Sequence, residues 1–257
     1  MPKLSVTVIT KNEAANVDAA LQSVSWADEL IVVDAESTDG TADLARKYTD
    51  RVVVRPWPGF VEQKNYAASL ASHDWILSLD ADERVTPALA TEVQATLARD
   101  PSCVAYQAPR VSQYLGRWIR TTDWYPNEQR RLYDRRRARW TGARVHESLS
   151  ADGAVGRLQG ELQHLPYQNV AEHLETINRY TTLAAQQMWD EGRRAGILDV
   201  TFHPPLAFLR NYLARGGWRD GSAGFIISSL NAYYVFLKFA KLWELGDAQR
   251  MTSNVER

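Results

Sequence analysis

The chain predicts an α/β fold, a Rossmann-like and mostly parallel sheet with helices on both faces, followed by a helical C-terminal region. Three observations carry this prediction. Short β-branched runs alternate with helical patterns through the first third, polar residues gather where those runs end, and beyond Pro166 apolar residues recur at helical spacing. The length, 257 residues, suits one sizeable α/β domain with an extension.

The strand-like runs are Leu4 to Thr10, Leu30 to Asp34, Val52 to Arg55 and Trp75 to Asp80. Between them, Ala15 to Ser23, Thr41 to Tyr48 and Val61 to Leu70 carry apolar residues at helical spacing, and Thr41 follows the turn pair Asp39-Gly40 as an N-cap. Residues 101–164 are less regular, with strands expected at Ala105 to Arg110, Arg131 to Asp134 and Leu158 to His164. Later helices are expected over Val170 to Trp189, Pro205 to Leu213 and Phe225 to Trp243, separated by glycines. The expected organisation is a catalytic and nucleotide-binding part over 1–165 and a helical part over 166–257 that packs on it.

Composition excludes several classes. With 45% apolar and 24% charged residues the chain is an ordinary globular one, and a net charge of -1 leaves any basic partner site to local clustering, so no nucleic-acid partner is expected. Cys103 is the lone cysteine, which excludes an intramolecular disulfide and a multi-thiolate zinc site. The start runs straight into a strand pattern without a leader, so a cytoplasmic location is expected. The longest uncharged run, Gly221 to Leu237, is shorter than a bilayer-spanning helix needs, and no transmembrane helix is expected. The C-terminal aromatics fit either a core or a peripheral contact with the inner face of the cytoplasmic membrane.

In parallel sheets ligands bind beyond the carboxyl ends of the strands. Those ends carry Thr10-Lys11-Asn12-Glu13, then Asp34 with Ser37, Asp39 and Gly40, then Asp80-Ala81-Asp82-Glu83. Two carboxylates two residues apart can reach one hard divalent cation, Mg²⁺ or Mn²⁺, that would neutralise a diphosphate; an acidic turn capping the next helix is the competing explanation. Asp34 and the following loop can meet a base or ribose, or simply form a turn and a cap. Lys64-Asn65 would add a cation and an amide near the nucleotide, against a solvated helix face.

Taken in order, Val8-Ile9-Thr10-Lys11-Asn12-Glu13, Val32-Val33-Asp34 with Ser37-Thr38-Asp39-Gly40-Thr41, Gln63-Lys64-Asn65 and Leu79-Asp80-Ala81-Asp82-Glu83 resemble the family 2 glycosyltransferases of GT-A fold. Trp140-Thr141-Gly142, Val145-His146-Glu147 and Lys241-Leu242-Trp243-Glu244 look like the subgroup that includes bacterial lipopolysaccharide inner-core glucosyltransferases. The resemblance implies an inverting transfer of a sugar from a nucleotide-sugar donor such as UDP-glucose to a glycan or glycolipid acceptor. It implies that Thr10, Glu13, Asp34, Ser37 and Asp39 surround the nucleotide with Lys64, Asp80 and Ala81 near it. Asp82 would hold the metal.

The chain lacks the usual Glu-Asp pair of the family at its expected distance, and the subgroup points to Glu147 as the base that takes the acceptor proton. Its alternative is a surface glutamate paired with a neighbouring arginine. His164 ends a strand-like run before Pro166 and is the candidate third metal ligand. His146 is a candidate acceptor contact, and His73, His173 and His203 are expected to be structural. Arg130, Arg131, Arg135, Arg136, Arg137 and Arg139, with Trp124, Tyr125, Tyr133 and Trp140 interleaved, form a candidate acceptor surface for a phosphorylated glycolipid; RNA binding would use the same residue types, and a solvated charged hairpin is the third reading.

Two other readings stand beside transfer of a sugar: nucleotidyl transfer to a sugar phosphate on the same fold, and a non-catalytic nucleotide-sugar-binding scaffold. All three rest on one geometric expectation, that side-chain oxygens of Asp34, Asp80 and Asp82 converge on one cation and one pyrophosphate.

Overall fold

A computed structural model describes residues 2–99, 101–143 and 146–255. The first third follows the expected alternation: β1 (Leu4–Thr10), α1 (Val17–Gln22), β2 (Glu29–Asp34), α2 (Thr41–Ala45), β3 (Val52–Val54), α3 (Phe60–Ser69) and β4 (Trp75–Asp80). A short β5 (Glu83–Val85) leads to α4 (Pro87–Ala98), whose N-cap Thr86 accepts from the Leu89 N–H at 3.2 Å. Then come β6 (Ala105–Tyr114), β7 (Arg117–Ile119), β8 (Asn127–Asp134), β9 (Ala138–Ala143), β10 (His146–Ala151), β11 (Val155–Arg157) and β12 (Leu162–His164). The helical part holds α5 (Val170–Asp190), α6 (Ile197–Leu209), a π-helical turn at Arg210–Ala214, a 3-10 turn at Gly217–Asp220 and α7 (Gly221–Val255).

The chain forms two compact units, Met1–Val111 with Asn127–Leu165, and Ser112–Pro126 with Pro166–Arg257. In the first, the strands run in the order β3-β2-β1-β4-β8-β6-β12-β5, with β11 also on β6. Strands β3, β2, β1 and β4 are mutually parallel, and β8 joins β4 antiparallel. A separate hairpin pairs β9 with β10.

Side chains of one strand alternate between faces, which sorts the core into two layers. Val6, Val8, Val32, Leu77 and Leu79 pack with α1 and α4, while Ile9, Ile31, Val33 and Ile76 pack with Ala67 of α3 and with Trp140 and Leu149 of the hairpin. The loop before β12 is held against α4. Glu92 accepts from the N–H groups of Gln159 and Gly160 at 2.8 Å each, and a Cβ at Gly160 would overlap the Leu89 backbone. This approach lays β12 antiparallel on β5, with His164 opposite Glu83.

Several elements differ from expectation. Thr41 is the first helical residue and Gly40, left-handed at φ 88°, is the cap, because the Thr41 hydroxyl serves the loop before α1. Only Leu162–His164 of the expected last strand pairs in the sheet, since Gly160 abuts α4. Helix α6 begins eight residues before Pro205 and contains Pro204 and Pro205, its start set by Asp199 accepting from the Gly196 N–H at 2.9 Å. Helix α7 is longer than its uncharged run: together with the 3-10 turn before it, the stretch Gly217–Asp247 spans 31 residues and is long and apolar enough to cross a membrane by length and composition alone.

In the second unit, α7 packs against α5 and α6. The β6–β7 hairpin is tied down by Asp220, which accepts from the Thr121 hydroxyl at 2.6 Å and the Arg120 N–H at 3.2 Å. His173 is structural, as expected: it is buried, stacks on Tyr167 at 4.3 Å and shares a 3.0 Å hydrogen bond with the Tyr114 hydroxyl. Burial pushes its imidazole down to about 4. A histidine held neutral this way contributes stability that is complete above its ordinary value, near 6.5, and declines as pH falls towards 4. Urea denaturation is therefore expected to show the chain losing about 1–2 kcal/mol at pH 5 relative to pH 7.5 through this residue. His173→Gln should remove that component; an unchanged pH slope in the variant would refute the assignment.

Candidate active site

At the carboxyl end of β4 the site is built from charge. Asp80 points to the α3 face of the sheet, where Lys64, 1% exposed, lies 3.1 Å from Asp80 Oδ1 and 3.4 Å from Glu147 Oε1. The Trp140 ring closes this pocket, with the ammonium 4.4 Å from its centroid. Arg131 sits beside them and donates to Asp80 Oδ2 at 2.5 Å and to Glu83 Oε1 at 2.6 Å. Arg110 reaches the same Glu83 oxygen at 3.0 Å. Three cations and three anions thus share one pocket, the balance that buried charge requires. Burial opposes the charged form of Asp80, but Arg131 first, then Lys64 and Arg110, hold its carboxyl far below the usual carboxylate range. Asp80 Oδ1 has its ion pair and no hydrogen bond.

Local sequence explains the arrangement. Helix α3 buries Gln63 and Lys64 side by side. Asn65 fixes the helix to the hairpin, donating to Trp140 O at 2.9 Å and accepting from the Trp140 N–H at 3.0 Å. Glu147 lies opposite Gly142 across that hairpin, so no side chain covers the carboxylate from the paired position. These contacts rule out the competing explanations for Lys64 and Glu147 and engage the Asn65 amide that was expected near the nucleotide. Lys64 is not on a solvated face, and the Asn65 amide is occupied by the Trp140 backbone. Glu147 pairs with a lysine and not with an arginine.

Asp82, two residues beyond Asp80, lies 3.2 Å from His164 Nε2, and its backbone carbonyl accepts from the Leu165 N–H at 2.9 Å. The intervening Ala81 is buried in the core. Asp82 and His164 are partly exposed, at 28% and 14%, and the pair is brought together by the β5–β12 pairing.

The expected nucleotide loops form a second network. Asp34 is fully buried and accepts from the Thr10 hydroxyl at 2.8 Å, the Ser37 N–H at 2.8 Å and the Ser37 hydroxyl at 2.6 Å. Ser37 Oγ in turn accepts from the Asn12 N–H at 2.8 Å, and Thr41 Oγ1 from the Glu13 N–H at 2.8 Å. Burial works slightly against ionised Asp39, yet the Thr41 hydroxyl and the N–H groups of Ala14 and Thr41 hold its carboxyl below its ordinary value. Asn12 and Glu36 are both left-handed, each at φ 54°, an uncommon conformation for residues other than glycine.

Asp34 does not converge with Asp80. Thr10 is the register partner of Asp34 and Ile9 that of Asp80. Neighbouring residues of β1 face opposite ways, so the two aspartates point to opposite faces, two strands or about 9–10 Å apart. Asp34 braces its loop through hydrogen bonds, while Asp80, Asp82 and Glu147 are held in ion pairs.

The acceptor candidates also separate. Arg131 is buried between Asp80 and Glu83, and Arg130 donates to Leu149 O at 2.9 Å. Arg135 donates to the carbonyls of Ala68 and Ala71, Arg136 pairs with Asp134, and Arg137 donates to Asp152 O. Most of the arginine stretch is thus engaged in holding its own fold. Trp124 belongs to the second unit, where it packs with Tyr114, Tyr167 and His173. The side chain of His146 and all of Val145 lie outside the described residues. Sequence reasoning missed Glu83 and Arg110 as members of the charge cluster. Their signal was the charged position directly after the Asp80-Ala81-Asp82 turn and an arginine on a neighbouring strand.

Residues 5–150 match the family model Glycosyl transferase family 2. The chain is 33% identical over 253 residues to the lipopolysaccharide core biosynthesis glycosyltransferase LpsC of Rhizobium meliloti (strain 1021), covering 95% of this chain and 94% of that one. It is 30% identical over 258 residues to the uncharacterized glycosyltransferase RP128 of Rickettsia prowazekii (strain Madrid E), with coverage of 96% and 88%. Among solved structures it is similar to S. aureus TarS 1–349 in complex with UDP-GlcNAc, at a TM-score of 0.49 and 14% identity over 97% of this chain and 92% of that one. It is also similar to Mycobacterium tuberculosis glucosyl-3-phosphoglycerate synthase in complex with Mn²⁺, UDP-Glc and phosphoglyceric acid, at a TM-score of 0.38 and 25% identity, covering 42% and 44%. A family match over more than half of the chain, and a relative matched along nearly all of it, mean that this protein belongs to glycosyltransferase family 2.

Proposed function

We propose that the chain is an inverting, divalent-metal-dependent glycosyltransferase that moves a sugar, glucose from UDP-glucose or a similar donor, to a hydroxyl of a lipopolysaccharide core or related envelope glycan. The observation that carries this reading is the buried Lys64 ammonium shared by Asp80 and Glu147, with Asp82 two residues beyond Asp80 and paired with His164 of β12. The name of LpsC, a lipopolysaccharide core enzyme, supports the acceptor class. The lone Cys103 is consistent with a cytoplasmic enzyme.

The donor set fits a metal. Asp82 offers a partly exposed carboxylate and His164 a ring nitrogen, while Asp80 is held by Lys64 and Arg131 and supports the pocket from behind. Among the described residues no cluster of three or more His, Cys, Asp or Glu surrounds one point. Two protein ligands suffice where diphosphate oxygens and water complete the shell, the usual arrangement for Mg²⁺ and one open to Mn²⁺. The cation would neutralise charge gathering on the departing diphosphate.

The protein's own part is positional and acid–base. The acceptor oxygen bonds to the anomeric carbon as that carbon's bond to the diphosphate breaks, the electron pair leaves with the diphosphate, and the hydroxyl proton passes to Glu147. Gly142 leaves the Glu147 carboxylate uncovered on the hairpin, and Lys64 orients it. The loops of Thr10, Glu13, Ser37 and Asp39, braced by Asp34, would receive the nucleotide. Free nucleoside diphosphate is the expected product; pyrophosphate would indicate nucleotidyl transfer instead, and donor binding without turnover a scaffold.

Asp82→Ala is expected to abolish nucleoside diphosphate release while leaving the thermal melt unchanged, and His164→Ala to raise the Mn²⁺ concentration needed for half-maximal turnover by about 10-fold or more. Turnover near wild type in Asp82→Ala would remove the metal role. Glu147→Gln should lower kcat by about 10²–10⁴-fold with the donor Kd, measured by titration calorimetry, unchanged; an equal loss of donor affinity would make Glu147 a binding residue. Asp80→Asn should act differently from Asp82→Ala. It leaves Lys64 and Arg131 undercompensated and is expected to cost about 3–5 kcal/mol of stability, seen as a lowered urea midpoint.

A further inference from the structure

Helix α6 turns one face to α7, where His203 stacks on Phe239 at 4.7 Å and Val200 packs beside Met188 and Leu242. The other face is apolar and open. Leu198, Phe202, Leu206 and Leu209, and Leu213 on the π turn that follows, are each between 47% and 68% exposed. At helical spacing the four residues on α6 fall within an arc of about 80°. The patch continues through Phe225, half-exposed and edge-on to Phe208 and Tyr212 at 5.7 Å each, and through exposed Trp218. A contiguous strip of this kind marks an interaction surface, unlike single exposed leucines.

Charge identifies the partner. The whole chain is close to neutral, yet residues 193–241 contain seven basic and two acidic residues. Asp199 caps α6 and pairs with His203, and buried Asp220 holds the β6–β7 hairpin. Asp123 of the same unit pairs with Arg210 and Arg215, so the charge offered to an external anion lies mainly with Arg193, Arg194 and Arg219. Arg193 and Arg194 precede the strip and Arg210, Arg215 and Arg219 follow or flank it. An apolar helix face bordered by arginines is the pattern of a helix lying in the interface of an anionic bilayer. Spanning is a poorer fit. The Lys241 ammonium on α7 donates to Asn178, Thr181 and Thr182 of α5 at 2.7–2.8 Å, and Ile227 and Leu242 are buried, so insertion of α7 would dismantle the packed unit.

We propose that the α6 strip, extended through Leu213, Trp218 and Phe225, docks the protein on the surface of an anionic phospholipid bilayer, the apolar side chains entering the acyl boundary and the arginines meeting lipid phosphates. This inference does not rest on the assignment of donor, metal or base, and its test requires no substrate.

The full chain is mixed with vesicles of phosphatidylcholine alone, or containing about a third phosphatidylglycerol, and bound protein is measured by flotation at low and high salt. Wild type should bind the anionic vesicles, weakly or not at all the neutral ones, and less at high salt. Phe202→Ser with Leu206→Ser, both exposed, should keep its circular-dichroism melt and lose about tenfold or more in partitioning. Arg193→Glu with Arg219→Glu should abolish the preference for anionic lipid. Equal binding to both vesicle types, or undiminished binding of the Phe202/Leu206 variant, would overturn the proposal. So would sedimentation showing a wild-type dimer that this variant dissociates, with no vesicle binding, since the strip would then be covered by a second copy.

Discussion

The site depends on a lysine that is almost completely removed from water. An ammonium at 1% exposure is tolerated only with counter-charges in contact, and Lys64 has two, Asp80 from β4 and Glu147 from β10, over the Trp140 face of β9. One side chain thereby joins the parallel half of the sheet, a helix packed on it and the separate hairpin. Arg131, Glu83 and Arg110 extend the network across the β4–β8 seam, where the sheet changes from parallel to antiparallel. Such a cluster is weak evidence for stability, because well-packed apolar residues commonly do as well in the same volume. Its presence is better explained by what the charges do than by what they hold together.

Alternation along β1 divides the strand ends into two tasks. Thr10 faces Asp34 and the loops that run into α1 and α2, where hydroxyls and backbone N–H groups satisfy one another. Ile9 faces Asp80 and the charge cluster over α3. One face thus supplies a shaped, hydrogen-bonded rim with two left-handed residues, Asn12 and Glu36, and the other supplies ionised groups. The turn after Asp80 carries Asp82 away from the cluster to His164, so two carboxylates two residues apart serve different partners.

This separation marks the limit of what was legible in sequence. The strands β1, β2 and β4, and helices α3 and α5, were readable because their apolar periodicity is set locally and tertiary contacts reinforce it. The pairings came out as two separate sets, Lys64 with Asp80 and Glu147, and Asp82 with His164. Which residues touch was not readable. Facing direction depends on register, and register depends on pairing between strands far apart in sequence. Asp34 therefore faces away from Asp80 where convergence was expected, and Arg131 is buried where a surface was expected. Weakly patterned elements escaped for a related reason. The β9–β10 hairpin has little apolar alternation and is fixed by Asn65 reaching across from α3 to the Trp140 backbone, while the start of α6 was obscured by Pro204 and Pro205 within it.

The charge count of the cluster bears on the proposed reaction. Lys64, Arg110 and Arg131 balance Asp80, Glu83 and Glu147 while all six are ionised. If Glu147 takes the acceptor proton, one anion is lost and the pocket carries a net positive charge at that moment. The same moment is when the breaking glycosidic bond delivers negative charge to the diphosphate. In that scheme Asp80 would link the two events, because it shares Lys64 with Glu147 and is separated by a single residue from Asp82. A preorganised pocket whose charge rises from zero to positive in step with the leaving group would stabilise the transition state more than the bound donor, which is what acceleration requires. Under the proposed reaction a buried lysine between two carboxylates would do this without moving, and a solvated lysine on the same helix would not.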